Sequence, residues 1–390
     1  MLDAYLSYFE TQRTAFTIPG HKQKAHRLDE GLGAVVDSDT PLYGGLDEIK
    51  LTEGTLKKAE ELAASLWGAD YARFSTGGST HANQAIILAL GKPGDKVAVT
   101  RTAHRSVLSA LVLTGLEPIW LTPDIDEATG VPTGIPVSEL ERVLDQKPIA
   151  LLLTEPGYLG TISELPALIA KAHENSIPVI IDAAWGAHFG FNSQLPAHVM
   201  QLGADALITS VHKALPGYSA SALLLAQGKF LNLARIEQSF ETTHTTSPAG
   251  APLASIDGVR ALLETRGEEL LGKLLENIHR FKETVQAEFA LPIFLYPSDF
   301  PAGRFDPSKL VLRVQQLGAS GVDIEEDLQK EGIRVEMADR DTIVFLATIA
   351  DTAADFERLA DVFIPILKKR QEQRRESATA LSWSVIPQKA

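Results

Sequence analysis

Residues 147–182 read KPIALLLTEPGYLGTISELPALIAKAHENSIPVIID. Two runs in this stretch, Ile149–Glu155 and Pro178–Asp182, are apolar on both faces, which is how strands buried in a parallel sheet read. Between them, Leu165–Asn175 has the length and pattern of a helix. A strand, a crossover helix and a second strand form a βαβ unit, and such units stack side by side into one sheet.

The same alternation extends in both directions. Further strands are expected at Tyr71–Ser75, Lys96–Thr100, Pro118–Leu121, Ala206–Ser210 and Ala220–Ala226. Helices are expected at Leu56–Trp67, Thr80–Leu90, Ser106–Thr114, Ser138–Leu144 and Ala197–Leu202. The pattern predicts a doubly wound, mainly parallel α/β sheet, with its ligand beyond the carboxyl ends of the strands where strand order reverses.

From Pro252 to about Phe289 the pattern changes to apolar residues at helical spacing, as one long helix or two consecutive ones. YPSDFPAGRFDPS (296–308) is rich in Pro, Gly and Asp and reads as irregular surface. A strand (Lys309–Val314), a helix (Val322–Lys330), a strand (Thr342–Ala347) and a helix (Ala353–Leu367) follow as a small α/β domain. The stretch from Lys368 is expected to fray. The organisation is thus an N-terminal arm at 1–50, a large domain at 51–255, and a linking helix, small domain and tail at 256–390.

The chain has 390 residues, more than one minimal core needs. A formal charge of −14 argues against nucleic acid or an anionic membrane as the main partner. Cysteine is absent, which excludes disulfides, thiolate nucleophiles and cysteine metal sites. The opening segment has no basic stretch followed by an apolar core, and no apolar run approaches a bilayer span, so a cytoplasmic location is expected.

Four places can carry chemistry. Lys213, in ITSVHKALPG, follows an apolar strand. Desolvation there lowers a lysine's pKa and makes its amine a nucleophile able to form a Schiff base. The plainer alternative is a surface lysine closing a strand. Asp182 ends the strand PVIID, 31 residues earlier, and can face the same crevice. A lysine for an aldehyde and an acid for a pyridine nitrogen are the pair that pyridoxal phosphate (PLP) requires. Taken alone, Asp182 also suits a turn or a helix cap. Gly77, Gly78, Ser79 and Thr80 lie between a strand and a helix start, where backbone N–H groups and the helix dipole can cradle a phosphate. The pattern is not a P-loop, because no Gly-Lys-Ser/Thr follows. His104, in TRTAHRSVL, can stack on a flat cofactor or simply cap its helix. The histidines show no metal-ligand spacing, and no G-x-S-x-G elbow is present.

TIPGHKQ, STGGSTHANQAIILAL, GDKVAVTRTAHRSVLSAL, TEPGYLGTI, DAAWGAHFGF, SVHKALPG, TTSP and GIRVEMADRDTIVFLATIADT occur in that order across residues 15 to 365. In this order they resemble the ornithine/lysine/arginine decarboxylase family of PLP enzymes. The resemblance implies PLP fold type I, with a large sheet domain and a small C-terminal α/β domain. It implies Lys213 as the Schiff-base lysine, Asp182 as the acid on the pyridine nitrogen and His104 as the stacking ring. It further implies Gly78, Ser79 and Thr80 as the phosphate loop, with Ser210 and His212 reaching the phosphate or ring edge. Thr245, Thr246 and Ser247 look like a loop that closes the site of a neighbouring subunit, so a homodimer or larger assembly is implied. Trp185 matches the larger bacterial members, which read Asp-x-Ala-Trp, and is expected to contact the substrate. Val211 stands where the family commonly has Thr.

The activity so implied is decarboxylation of lysine, arginine or ornithine to the amine, within polyamine biosynthesis. Lys213 or His212 then returns the proton. Glu336 is the expected carboxylate for the substrate's distal cation, with Glu53 as its rival, because a charge buried unpaired is costly. An aminotransferase or aldolase-type lyase is the alternative, with Arg313 as a carboxylate grip. A PLP-binding protein without activity is the third reading.

Overall fold

The computed structural model describes residues 1–10, 23–40, 42, 46, 54–127 and 129–372. Glu53 and most of TIPGHKQ lie outside the described residues. The described residues divide into two compact units, Met1–Leu275 with Tyr296–Ser308 and Thr348–Ala350, and the remainder from Glu276 onward.

The first unit is built on a seven-stranded sheet. Its strands are β1 (Tyr71–Ser75), β2 (Lys96–Thr100), β3 (Glu117–Leu121), β6 (Leu151–Thr154), β7 (Val179–Asp182), β8 (Ala206–Ser210) and β9 (Ala222–Ala226), and β4 (Asp124–Ile125) and β5 (Pro132–Gly134) form a separate hairpin. The order across the sheet is β1-β9-β8-β7-β6-β2-β3. Neighbours are parallel from β8 through β3, and only β9 runs against its two partners. β7, β8 and β9 are buried along their full length, which explains why each is apolar without alternation. From β2 the chain steps outward to β3 and then returns inward through β6, β7 and β8. Strand order therefore reverses between β2 and β6, and the crevice of a doubly wound sheet opens beyond their carboxyl ends.

One face of the sheet packs Val97, Val99, Leu152, Ile180, Ile208 and Leu224 against helices Gly78–Leu90, Arg105–Thr114 and Leu233–Thr243. One uninterrupted helix runs over Gly250–Gln286, and the division between the units falls within it, after Leu275.

Three expectations need correction in whole or in part. Residues 197–202 are not a helix. Gln201, Leu202 and Gly203 each donate to the carbonyl three residues back, giving successive turns, and His198 Nδ1 also accepts from Gln201 N–H at 3.3 Å. Side-chain competition for a backbone donor and a positive φ at Gly203 stop helix propagation. Residues 296–308 are irregular and exposed at 297–299 and 301–303, as expected, but buried side chains anchor the loop. Phe300 and Phe305 stack at 4.9 Å and are buried, as are Asp306 and Ser308, and Arg304 exchanges bonds with the Ile162 backbone. Finally, the start of the stretch expected to fray stays helical through Glu372, and the rest of it lies outside the described residues. In the helical part Arg370 pairs with Asp327 at 2.7 Å and Lys368 with Glu288.

The second unit carries an antiparallel three-stranded sheet in the order β10 (Leu310–Arg313), β12 (Thr342–Phe345), β11 (Met337–Ala338), with helices Gly321–Lys330 and Ala353–Glu372. Among the described residues, no helix is long and apolar enough to cross a membrane.

Candidate active site

The residues singled out in the first unit sit at the ends of neighbouring strands. Asp182 is the last residue of β7 and Lys213 follows β8. His104 lies in the turn after β2 and Ser79 in the helix entered from β1. Asp182 and Lys213 both act electrostatically on His104, so the three groups share one region.

The glycine turn before helix Gly78–Leu90 is held from behind. Gly78 takes φ +70°, which favours glycine, and its N–H donates to the Ala220 carbonyl at 2.6 Å. Ala220 is itself left-handed at φ +63°, a costly state for alanine. Gly78 thus supplies the turn, while its donor is committed elsewhere. Gly77 caps the helix without any side-chain bond, so Ser79 and Thr80 are left with N–H groups that have no intrahelical acceptor. Ser79 Oγ lies 2.8 Å from Ser210 Oγ, which brings two expected phosphate contacts together across 131 positions. Two orphan N–H groups at a helix N-terminus and two hydroxyls form an anion cradle. Behind it, His81 contacts Ser75 Oγ at 2.8 Å, and His244 Nε2 accepts from Thr76 N–H at 3.4 Å. Burial lowers both imidazoles to about 4, so they stay neutral beside the turn.

Lys213 is half-buried, with Nζ 4.5 Å over the Trp185 ring. Trp185 in turn meets Tyr158 edge-on at 5.3 Å. The ring faces shield one side of the amine while leaving its charge a favourable partner. His212 Nδ1 lies 3.0 Å from the Ser221 carbonyl and therefore carries a hydrogen. Val211 is buried and apolar, so the hydroxyl it lacks leaves nothing unpaired in this fold.

Asp182 is 4% exposed. Burial raises its pKa. Asn83 Nδ2 at 2.8 Å, the Lys213 charge and Ala184 N–H at 3.2 Å pull the other way by favouring the carboxylate. His104 caps helix Arg105–Thr114, with Nδ1 accepting from Ser106 N–H at 3.2 Å, and burial lowers its pKa. The capping role and a place near Asp182 and Lys213 therefore coexist.

Beside this group a cavity of about 140 Å³ opens beyond β2, β3 and β6, lined by Thr100, Thr102, Thr154, Glu155, Tyr158 and Thr161 among others. Glu155 is pushed up to about 7 by burial, against the pull of bonds from Ser163 N–H and Oγ.

Thr245, Thr246 and Ser247 form an exposed loop after helix Leu233–Thr243, with Ser247 N–H on Thr245 Oγ1 at 3.2 Å. Glu336 is an exposed residue of the second unit, just before β11, and its N–H donates to Val344 O at 3.0 Å. Arg313, also in the second unit, reaches the Pro292 carbonyl at 3.5 Å. The sequence reading passed over Asn83, Ser106, Tyr158 and Glu155. A buried amide among apolar helix positions was the available signal for Asn83.

An amine in a half-shielded crevice, a buried carboxylate, a capping imidazole and an anion cradle are the fittings of a flat, phosphorylated aromatic aldehyde. With the mainly parallel seven-stranded sheet, they place the chain among PLP fold type I proteins. The model of the Orn/Lys/Arg decarboxylase major domain matches residues 1–298, and the chain belongs to that family. The arginine decarboxylase of Bacillus subtilis (strain 168) is 32% identical over 374 residues, covering 93% of this chain and 76% of that protein. Lysine decarboxylase LdcA of Pseudomonas aeruginosa is 27% identical over 258 residues, 60% of this chain and 34% of that protein. The solved structure of lysine decarboxylase A from Pseudomonas aeruginosa superposes with a TM-score of 0.81 at 19% identity, over 94% of this chain and 59% of that one. The chain thus spans about three-fifths of the length of that solved enzyme.

Proposed function

We propose that this protein decarboxylates a basic amino acid with PLP, with arginine as the first substrate to test. The observation that carries the reading is the convergence of Lys213, Asp182 and His104 at the ends of separate strands. Arginine comes first because two relatives, each 32% identical over most of this chain, bear the name arginine decarboxylase. PLP, when bound, supplies an aldehyde for the substrate amine and a ring that accepts the electron pair left by CO₂.

The residues divide the remaining work. Ser79, Ser210 and the N–H groups of Ser79 and Thr80 bind the phosphate. Asp182 holds a proton at the ring nitrogen, which keeps the ring electron-poor. His104 covers one ring face. Lys213 would hold the cofactor through its amine, and Lys213 or His212 would return a proton to the substrate carbon. Trp185 and Tyr158 exclude water beside the amine. Glu336 meets the distal cation. Thr246 reaches the site of a second copy, so the working unit is a homodimer or larger, and it acts in the cytoplasm within polyamine biosynthesis.

Purified protein loaded with PLP is offered arginine, lysine and ornithine, and CO₂ and the amine are measured together. Equal yields of both from at least one substrate are expected. Keto acid without CO₂ would move the assignment to an aminotransferase and give Arg313 its role.

A further inference from the structure

Two buried side chains connect Asp182 to His104. Asn83 and Ser106 are 2% and 1% exposed. Asn83 lies one turn beyond Ser79 in helix Gly78–Leu90. Its Nδ2 donates to Asp182 Oδ2 at 2.8 Å and to Ser106 Oγ at 3.0 Å. Ser106 Oγ lies 2.8 Å from His104 Nδ1, and the Ser106 N–H donates to the same nitrogen at 3.2 Å.

The ends of this chain fix the direction of each proton. A carboxylate only accepts, so the amide turns its nitrogen toward Asp182. Both amide hydrogens are then used, one on Asp182 and one on Ser106. A backbone N–H aimed at His104 Nδ1 requires a lone pair there. The Ser106 hydroxyl accepts from Asn83, so its own hydrogen is available to that lone pair. The neutral His104 ring therefore carries its proton on Nε2.

We propose that Asn83 and Ser106 are positioning residues, which hold the Asp182 carboxylate in place for the protonated ring nitrogen of PLP and lock His104 as its Nε2–H tautomer. The cofactor half rests on the PLP reading above, and the tautomer half does not. Lys213 and His104 are the ionisable groups facing Asp182, and Lys213 and Arg105 face His104. The Asn83 donor favours the charged form of Asp182. Without it Asp182 takes up a proton at higher pH, and PLP is retained over a narrower range on the acid side.

The test uses protein labelled with ¹⁵N-histidine, with the His104 signals assigned by their loss in His104→Gln. The wild type without added PLP is expected to show an unprotonated Nδ1 and a protonated Nε2. Ser106→Ala removes the hydroxyl and leaves only the 3.2 Å backbone N–H on Nδ1, so a minor Nδ1–H population should appear, and Ser106→Thr should restore the wild-type pattern. Asn83→Ala should bind PLP roughly ten-fold more weakly near neutral pH and lose it at a pH about one unit higher than the wild type. A protonated Nδ1 in the wild type, or a Ser106→Ala spectrum identical to wild type, overturns the relay. An unchanged acid edge in folded Asn83→Ala overturns the Asp182 half. If Asn83→Ala does not fold, Asn83→Asp takes its place, since a second carboxylate beside Asp182 must also move the edge. A wild type with the expected tautomer that takes up no PLP refutes the cofactor reading and leaves the relay standing.

Discussion

Replacing Glu155 with Gln should flatten a pH dependence that the wild type carries between about pH 5 and 8. Glu155 follows β6, is 4% exposed, and accepts from Ser163 N–H at 3.0 Å and from Ser163 Oγ. Ser163 Oγ also accepts from Ile135 N–H at 2.7 Å, so the carboxyl anchors the β4–β5 hairpin to the end of β6. Burial raises its pKa from 4.5 to about 7. Over that window the folded chain keeps a proton that the unfolded chain has released. The extra stability is therefore full below about 4.5 and is lost as pH rises through about 7. A shift of this size is worth about 2 to 3 kcal/mol between pH 5 and 8. Glutamine keeps a carbonyl acceptor, places an N–H donor where the protonated acid has its hydroxyl, and cannot ionise. Urea unfolding of both proteins at several pH values isolates this contribution, because every other group titrates in both. Relative to the wild type, Glu155→Gln should gain about 2 to 3 kcal/mol in going from pH 5 to pH 8. Parallel curves across that range would refute the argument that burial governs this carboxyl.

Two further outcomes follow from the site. Lys213→Ala should fold, because its side chain is only half-buried beside Trp185, yet show no PLP mass on the chain after borohydride treatment. Mass spectrometry of the reduced protein decides this, and retained PLP would mean that another lysine carries it. Glu336→Gln should raise KM for the basic substrate by roughly one to two orders of magnitude, from loss of a charge-assisted contact of about 1.5 to 3 kcal/mol, and leave PLP absorbance alone. An unchanged KM would pass the role to Glu53.

The sheet was legible because its strands are buried on both faces, which removes the alternation that would make β6, β7 and β8 resemble edge strands. The turn between β7 and β8 was misread for a related reason. Val199, Met200 and Ala204 are buried there as in a helix, and only the His198 competition and Gly203 prevent one. The buried anchor of the loop at 296–308 was not legible because its Pro, Gly and Asp content outweighed two phenylalanines. Phe300 and Phe305 bury their faces on each other, and Asp306 and Ser308 close on His188, six residues beyond Asp182. A composition rule weighs residues one at a time and gives no weight to a ring pair that forms only on folding.

Strand-end residues such as Asp182 and Lys213 can be found from sequence because position along a strand already decides which end of the sheet they reach. The residues that govern them cannot be found in this way. Asn83 reaches Asp182 across 99 positions, and Ser79 reaches Ser210 across 131. Apolar neighbours can hint that Asn83 is buried, but nothing local tells which group it meets. Net charge has the same limit. A total of −14 describes the surface field, which draws in a cationic substrate. Near His104, however, the chain gathers Lys213 and Arg105, and the anion cradle faces outward from a helix N-terminus. The acidic exterior and the cation-lined centre serve the two ends of one reaction. The first favours arrival of a basic amino acid, and the second suits an anionic group, such as the phosphate of the proposed cofactor, that the surface field alone would repel.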